Sequence, residues 1–368
     1  MSKTPLSGLR VIELASVLAG PRVGQCFAEW GAEVIKIENP ATGGDITRSW
    51  KLPGEPAEAS RSAYFSSCNW GKSTRLLDFR KPEDIREAHQ LIETADIVLS
   101  SYKAGDAEKL RMDYATLRPL NPRLIYGQIT GYPHPDTRVG YDAILQAEAG
   151  FTYMNGEPEG TPHKMPVALI DVLAAHQLRE ALLLALLQRT QTDTGTQVTV
   201  SLFESAVSAL ANQATNYLMA GHTPQPMGSA HPNIVPYGTL FPTQTYPLVL
   251  AVGSDAQFAR LCTLLERPEW ATEERFRTNP ARVKHRETLL ARLRERFLSY
   301  EAETLLPALH RAHVPAGALR DMAAVFADPN TIAIRLSSEE TECEGVRMSV
   351  ARFDGALPQA ALTPPPAL

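Results

Sequence analysis

The chain has 368 residues, 44% hydrophobic and 21% charged, with a formal net charge of −5. Such a length is long for one hydrophobic core and predicts two domains. The acidic balance excludes nucleic acid and an anionic membrane surface as expected partners, so an anionic ligand would need a local basic cluster.

The first residues, MSKTPLSG, lack the apolar core of a signal peptide. Residues 9–14 (LRVIEL) predict a buried strand, followed by a loop at 15–21 (ASVLAGP), a helix over 22–30 and a strand at 33–38 (EVIKIE). Further apolar strands are expected at 96–99, 124–129 and 197–202, with helices near 82–93 and 114–120. Strands and helices alternating at these lengths argue for a parallel sheet covered on both faces. Ligands of such a sheet bind in the loops beyond the carboxyl ends of its strands. The first turn carries SVLAGP and not GxGxxG, which takes away the main support for a nicotinamide-dependent oxidoreductase. By itself SVLAGP fits a plain strand-to-helix turn equally well.

Residues 165–185 (MPVALIDVLAAHQLREALLLA) hold the strongest local signal. A short apolar segment ends at Asp171, and a helix is expected over 172–188, apolar on nearly every side and therefore deeply buried. Asp171 would meet the positive end of that helix, a setting that keeps a carboxylate ionised and fit for nucleophilic work. The same position suits a residue that merely caps the helix.

Another helix is expected over 204–220, and then the texture changes. Residues 222–247 hold six prolines and few charges, which reads as an extended connection. A strand at 248–252 and helices near 256–265, 286–299 and 302–312 make a small α+β unit. From Val314 the chain offers a turn and helix and a short β-rich tail ending in TPPPAL. The expected organisation is thus 1–220 as the first part of a large domain, 221–313 as connection and small domain, and 314–368 as the return. Cys26, Cys68, Cys262 and Cys343 lie far apart with no CxxC pair, which predicts reduced thiols, a cytoplasmic protein and no metal centre. The longest apolar run, 181–187, is too short to span a bilayer.

Taken in order, several stretches resemble one family, the class III coenzyme A transferases of the formyl-CoA and carnitine-CoA type. They are PLSGLRVIEL, SVLAGP, GAEVIKIENP, GGDITRSW, NWGKSTRLLD, LNPRLIYGQITGY, GYD, TGTQVTVSLFE, HPNIVPYG, FRTNPARVKHR and VPAG…FADP. The resemblance implies a Rossmann-like large domain, a smaller domain and two chains interlocked through their long connections. It makes Asp171 the catalytic aspartate, and acyl-CoA with small carboxylic acids the substrates, with no permanently bound cofactor. Coenzyme A would pass through an acyl-aspartyl anhydride and an aspartyl-CoA thioester, steps that need no metal or general base because carboxylate and thiolate are already anions.

The resemblance places CoA-contacting residues at Ser16, Val17, Leu18, Ala19, Asn39, Lys72, Ser101, Tyr102, Lys109 and Tyr132. Lys72 with Arg75, and Lys103, Lys109 and Arg111, form the candidate basic cluster for the three phosphate groups. Asn39 stands where the family usually has arginine, Ser101 where it has asparagine, and Leu18 where the formyl-CoA enzyme has glutamine. The last of these predicts a bulkier or more apolar acyl group. The related 2-methylacyl-CoA racemases use a histidine in a GHD segment that here reads GYD, so Tyr141 stands in its place, and a tyrosine is a poor base at neutral pH; His134 lies nearby as a substitute. A CoA-ester-binding protein without turnover is the remaining alternative.

Overall fold

The structure is a computed structural model, and it describes residues 4–357 and 362–368. Residues 1–3, and 358–361 of the tail, lie outside the described residues. The chain divides into two compact units. The larger takes residues up to Ala149, Met165–Leu218 and Ile332–Leu368; the smaller takes Gly150–Lys164 and Met219–Thr331.

The larger unit is built on six parallel strands: β1 (Arg10–Leu14), β2 (Glu33–Glu38), β3 (Lys72–Leu76), β4 (Ile97–Ser100), β5 (Ile125–Thr130) and β6 (Thr196–Ser201), in the order β3-β2-β1-β4-β5-β6. This is the Rossmann-like α/β sheet expected from the strand–helix alternation. Its apolar strands are buried on both faces, as crossover helices require. On one face Ile12, Ile35, Val98 and Tyr126 pack with Ala88 and Ile92 of the helix Pro82–Glu93. On the other, the long helix Leu169–Thr192 lies against β5 so closely that a Cβ at Gly127 would stand 3.0 Å from Leu182 Cδ2.

Several expected boundaries move. β3 (KSTRL) is an edge strand with alternating burial and no apolar run to reveal it. The first helix starts at Ala19, the 114–120 helix is a single turn (Tyr114–Leu117), and the helix expected over 204–220 is two, Leu202–Ser208 and Asn212–Ala220. The long helix begins at Leu169 and is not buried all round: Leu178 and Leu182 are fully enclosed, while Leu184 and Leu187 are exposed.

The smaller unit has an antiparallel sheet of β7 (Tyr237–Phe241), β8 (Leu248–Ala251) and β9 (Ala316–Ala318). Helices Asp255–Leu264, Arg286–Phe297 and Ala302–Arg311 cover it through Phe258, Leu289, Leu293, Phe297 and Leu305. Arg282 is wholly buried there, satisfied by the carbonyls of Val235 and Phe276 and by Asp255 at 2.7 Å. Because β9 pairs with β8, the chain rejoins the larger unit at Ile332 and not at Val314. Residues 150–164 also belong to the smaller unit, where sequence reading placed them in the larger. Among the described residues no helix is long and apolar enough to cross a membrane.

Candidate active site

Strands β1 and β4 are neighbours whose crossovers leave in opposite directions, and the loops beyond their carboxyl ends part there to leave a crevice. A cavity of about 220 Å³ occupies it. Ser16–Gly20 after β1, Ser101–Ala104 after β4, Ile129–Gly131 at the end of β5, the 136–141 loop and Asp171 line it. Of the residues expected from sequence, the structure thus brings together Ser16, Val17, Leu18, Ala19, Ser101, Tyr102 and Asp171. The Ser101 hydroxyl accepts the Ser16 N–H at 3.1 Å and ties two of the loops together.

The β1 loop is anchored from the sheet. Glu13 on β1, Lys36 on β2 and Lys72 at the start of β3 are buried side by side, and the Glu13 carboxylate receives Lys36 at 3.0 Å and Lys72 at 2.8 Å. Each ammonium also donates to a backbone carbonyl, Lys36 to Ala15 in the loop at 2.7 Å and Lys72 to Pro21 in the first turn of the helix Ala19–Glu29 at 2.9 Å. Lys36 pairs in addition with Asp45, and Asp45 accepts the Val17 N–H at 3.2 Å. Between these anchors Val17 sits at φ +70°, a left-handed backbone that a β-branched residue adopts only when its surroundings force it. The N–H groups at the start of the helix Ala19–Glu29 have no side-chain cap, since its N-cap residue is Leu18. They are left for an anion in the cavity.

This network corrects the reading of Lys72. Its ammonium is sealed from solvent and saturated by Glu13, Pro21 and Asn69, so it positions the loop and does not meet a phosphate group. Three other expected contacts also lie outside the cavity. Lys109 is exposed and pairs with Asp106, Asn39 caps its own turn through Ala41 N–H, and the Tyr132 hydroxyl donates to Glu148. Asn39 and Tyr102 together line a second, smaller cavity of about 140 Å³ beside Phe79 and Arg80, and the Arg80 guanidinium is paired with Asp78.

Asp171 is the third residue of its helix and caps nothing. The cap is supplied from elsewhere: Asp142, opening the helix Asp142–Glu148, accepts the Ile170 N–H at 2.8 Å. Gln146, fully buried one turn later, donates to Asp142 at 2.7 Å and accepts the Met165 N–H at 2.7 Å. These two side chains fix the segment that delivers Asp171 to the cavity. Among the described residues the Asp171 carboxylate has no hydrogen-bond partner. Burial, with the Asp142 charge adding to it and Arg22 opposing, pushes its pKa up to about 7. The expectation that the helix start would keep Asp171 fully ionised is therefore corrected, because desolvation and a like charge outweigh the dipole.

Sequence reasoning quoted Asp142 only as part of GYD and missed Gln146, Arg138 and Arg22. Arg138 lines the cavity but is committed, pairing with Asp136 at 2.9 Å and Glu148 at 3.3 Å over the ring of Tyr132. Gly131 and Gly140 hold that loop closed: a Cβ on Gly140 would stand 2.6 Å from Gly131 Cα. All four cysteines are free thiols.

The model of CoA-transferase family III matches residues 6–368. The chain is 39% identical to the succinate–glutarate CoA-transferase of Agrobacterium fabrum, across 98% of this chain and 89% of that one. It is 34% identical to the succinyl-CoA:mesaconate CoA-transferase of Haloarcula marismortui, across 88% and 83%. Among solved structures, a CAIB/BAIF family protein from Brucella suis superposes with a TM-score of 0.84 at 39% identity, covering 100% of this chain and 96% of that one. A sheet ordered around the β1–β4 crevice, and a match running nearly from end to end, have one meaning: the chain belongs to CoA-transferase family III.

Proposed function

We propose that the protein moves coenzyme A from an acyl-CoA donor to a free carboxylic acid through an aspartyl-CoA thioester on Asp171. The observation that carries this reading is a half-buried, unpaired carboxylate in the wall of a cavity also lined by an uncapped helix start, while the other carboxylate of the wall, Asp136, is paired with Arg138. Asp171 attacks the donor carbonyl and expels CoA thiolate, giving the mixed anhydride. The thiolate then attacks the aspartyl carbonyl and releases the donor acid. The acceptor carboxylate repeats the sequence in reverse, so no proton is consumed and no second base is needed. The N–H groups at Ala19 and Gly20 are the donors available to the oxyanions that form.

The acids are short dicarboxylates, as the names of the succinate–glutarate and succinyl-CoA:mesaconate relatives suggest. The working unit is a homodimer. Leu184 and Leu187 on the long helix, with Tyr217 and Leu218, are exposed apolar side chains that a second copy would cover. The racemase alternative asks for a second base, and Tyr141 lines the cavity where that base would stand while His134 does not.

A panel of acyl-CoA donors against free acids, read by mass spectrometry of the CoA products, tests the proposal. Exchange of CoA between succinyl-CoA and glutarate is the expected result, with hydroxylamine trapping an adduct on the peptide that carries Asp171. Adducts on another carboxylate, or rapid α-deuteration of a 2-methylacyl-CoA without exchange, would overturn it. Light scattering that finds a folded, active monomer would remove the dimer.

A further inference from the structure

The acceptor acid must bring a carboxylate to the Asp171 carbonyl, and a bare anion entering a low-dielectric cleft needs a cation there. Arg138 does not offer one, since Asp136 and Glu148 occupy its guanidinium. Lys103 lines the mouth of the cavity from an exposed loop position. Arg22 is different. It is half-buried, and among the described residues its side chain has no hydrogen-bond or ion-pair partner.

Its place follows from helix spacing. Leu18, Arg22 and Cys26 recur every fourth residue and share one face at the start of the helix Ala19–Glu29. Asp171, Ala175 and Arg179 do the same on the helix Leu169–Thr192. Leu18 and Asp171 line the same cavity, while two turns on Arg179 donates to the Cys26 sulfur at 3.5 Å. Arg22 and the small, buried Ala175 lie between these two contacts, one turn behind the cavity wall.

Its other neighbours do not neutralise it. Burial pushes the thiols of Cys26 and Cys68 up to about 11, so both are uncharged. Glu29 is taken up by Gln25 and by the N–H groups of Met348 and Ser349. Arg179 is a second cation, donating to His176. Asp171, on the neighbouring helix, is the carboxylate whose ionisation the Arg22 charge favours.

Resting on the transfer reading above, we propose that Arg22 receives the carboxylate of the acceptor acid beside Asp171. In the free enzyme the Arg22 charge favours the Asp171 anion without a direct bond to it. Once Asp171 is an uncharged thioester the guanidinium loses that counter-charge, and an incoming carboxylate restores it by two-pronged pairing. The acceptor oxygen then attacks the aspartyl carbonyl carbon, the C–S bond breaks and the thiolate departs. The thiolate next attacks the acceptor's acyl carbon, the C–O bond to Asp171 breaks, and the aspartate anion is restored. The guanidinium therefore pairs with the acceptor while Asp171 carries no charge.

The test is steady-state kinetics of Arg22→Met and Arg22→Lys with succinyl-CoA as donor and glutarate as acceptor. Discharge of a pre-formed Asp171–CoA adduct at varied glutarate is followed in parallel by intact-protein mass. Arg22→Met should raise the glutarate KM by at least tenfold and leave the succinyl-CoA KM within about twofold. Arg22→Lys, which keeps the charge without the fork, should fall between. An unchanged glutarate KM, or both KM values moving together, would overturn the assignment and leave Arg22 a packing residue. A wild-type enzyme that forms no Asp171 adduct and transfers no CoA would overturn the transfer reading, and this assignment with it.

Discussion

Asp142 and Asp171 are coupled through a single backbone amide. The Asp142 carboxylate accepts the Ile170 N–H at 2.8 Å, and the next residue along is the carboxyl whose proton affinity it raises. One side chain both orients Asp171, the proposed nucleophile, and, after burial, is the main charge acting against its ionisation. That arrangement makes the activity depend on pH in a range where an ordinary aspartate would be silent.

CoA transfer needs Asp171 as the anion, so kcat/KM should rise with pH through an apparent pKa near 7. Asp142→Asn should shift that rise to lower pH by removing the like charge. It should also cost about 1 kcal/mol of stability, because the new amide would face the Gln146 amide that now donates to it. A pH–rate profile of the two proteins, with Tm measured alongside, checks both. A rise that stays in place in Asp142→Asn would remove the electrostatic part of the argument.

Asp171→Asn separates function from stability. Transfer should fall by on the order of a thousandfold or more, since covalent catalysis leaves no substitute route. Stability should move the opposite way. An acid whose folded pKa lies above its unfolded value binds protons better in the native state, so stability is lost as pH rises from about 4 to about 7. The asparagine variant escapes that loss and should be more stable than wild type by about 1–3 kcal/mol above pH 7, with no gain below pH 4. Urea titrations at the two ends of the range decide it.

Lys72→Met tests whether this lysine holds the β1 loop or contacts coenzyme A. Loss of the ammonium leaves Glu13 with Lys36 alone and the Pro21 carbonyl without its donor. Breaking a buried pair from one side costs about 3–5 kcal/mol. The expected result is a lower urea midpoint with an unchanged succinyl-CoA KM in the fraction that stays folded. A raised KM at full stability would return Lys72 to the ligand.

Val17→Gly relieves the left-handed strain but gives the unfolded chain more freedom, two terms of about 1 kcal/mol each and opposite sign. The net change in stability should be under about 1 kcal/mol. Activity should drop all the same, because the side chain at the cavity wall is lost and the loop samples other conformations between its anchors. Differential scanning fluorimetry and kcat/KM on one preparation compare the two.

The sheet was legible because β1, β2, β4 and β5 are apolar runs between helices of crossover length. β3 was not, since an edge strand reading KSTRL carries no such run. Asp171 stood out as a carboxylate ending an apolar segment. Its partners were hidden: Asp142 lies 28 positions away from the amide it caps, and nothing local marks that pairing. Lys72 looked like a surface cation, because sequence shows charge and not burial; only the packing of β3 on β2, and the nearness of both to Glu13, reveals an internal ion pair. The domain boundary at Ile332 was hidden for the same reason, since β9 is three small residues whose partner is β8.

Glu29 is buried in the larger unit, and its carboxylate is satisfied by the N–H groups of Met348 and Ser349, some 320 residues later. During synthesis at about 5–20 residues per second, that distance is roughly 15–65 s of ribosome time. Until then Glu29 has Gln25 of its own helix but not the two late N–H groups, and the smaller unit is translated in full before they exist. The larger unit is thus finished last although it is begun first.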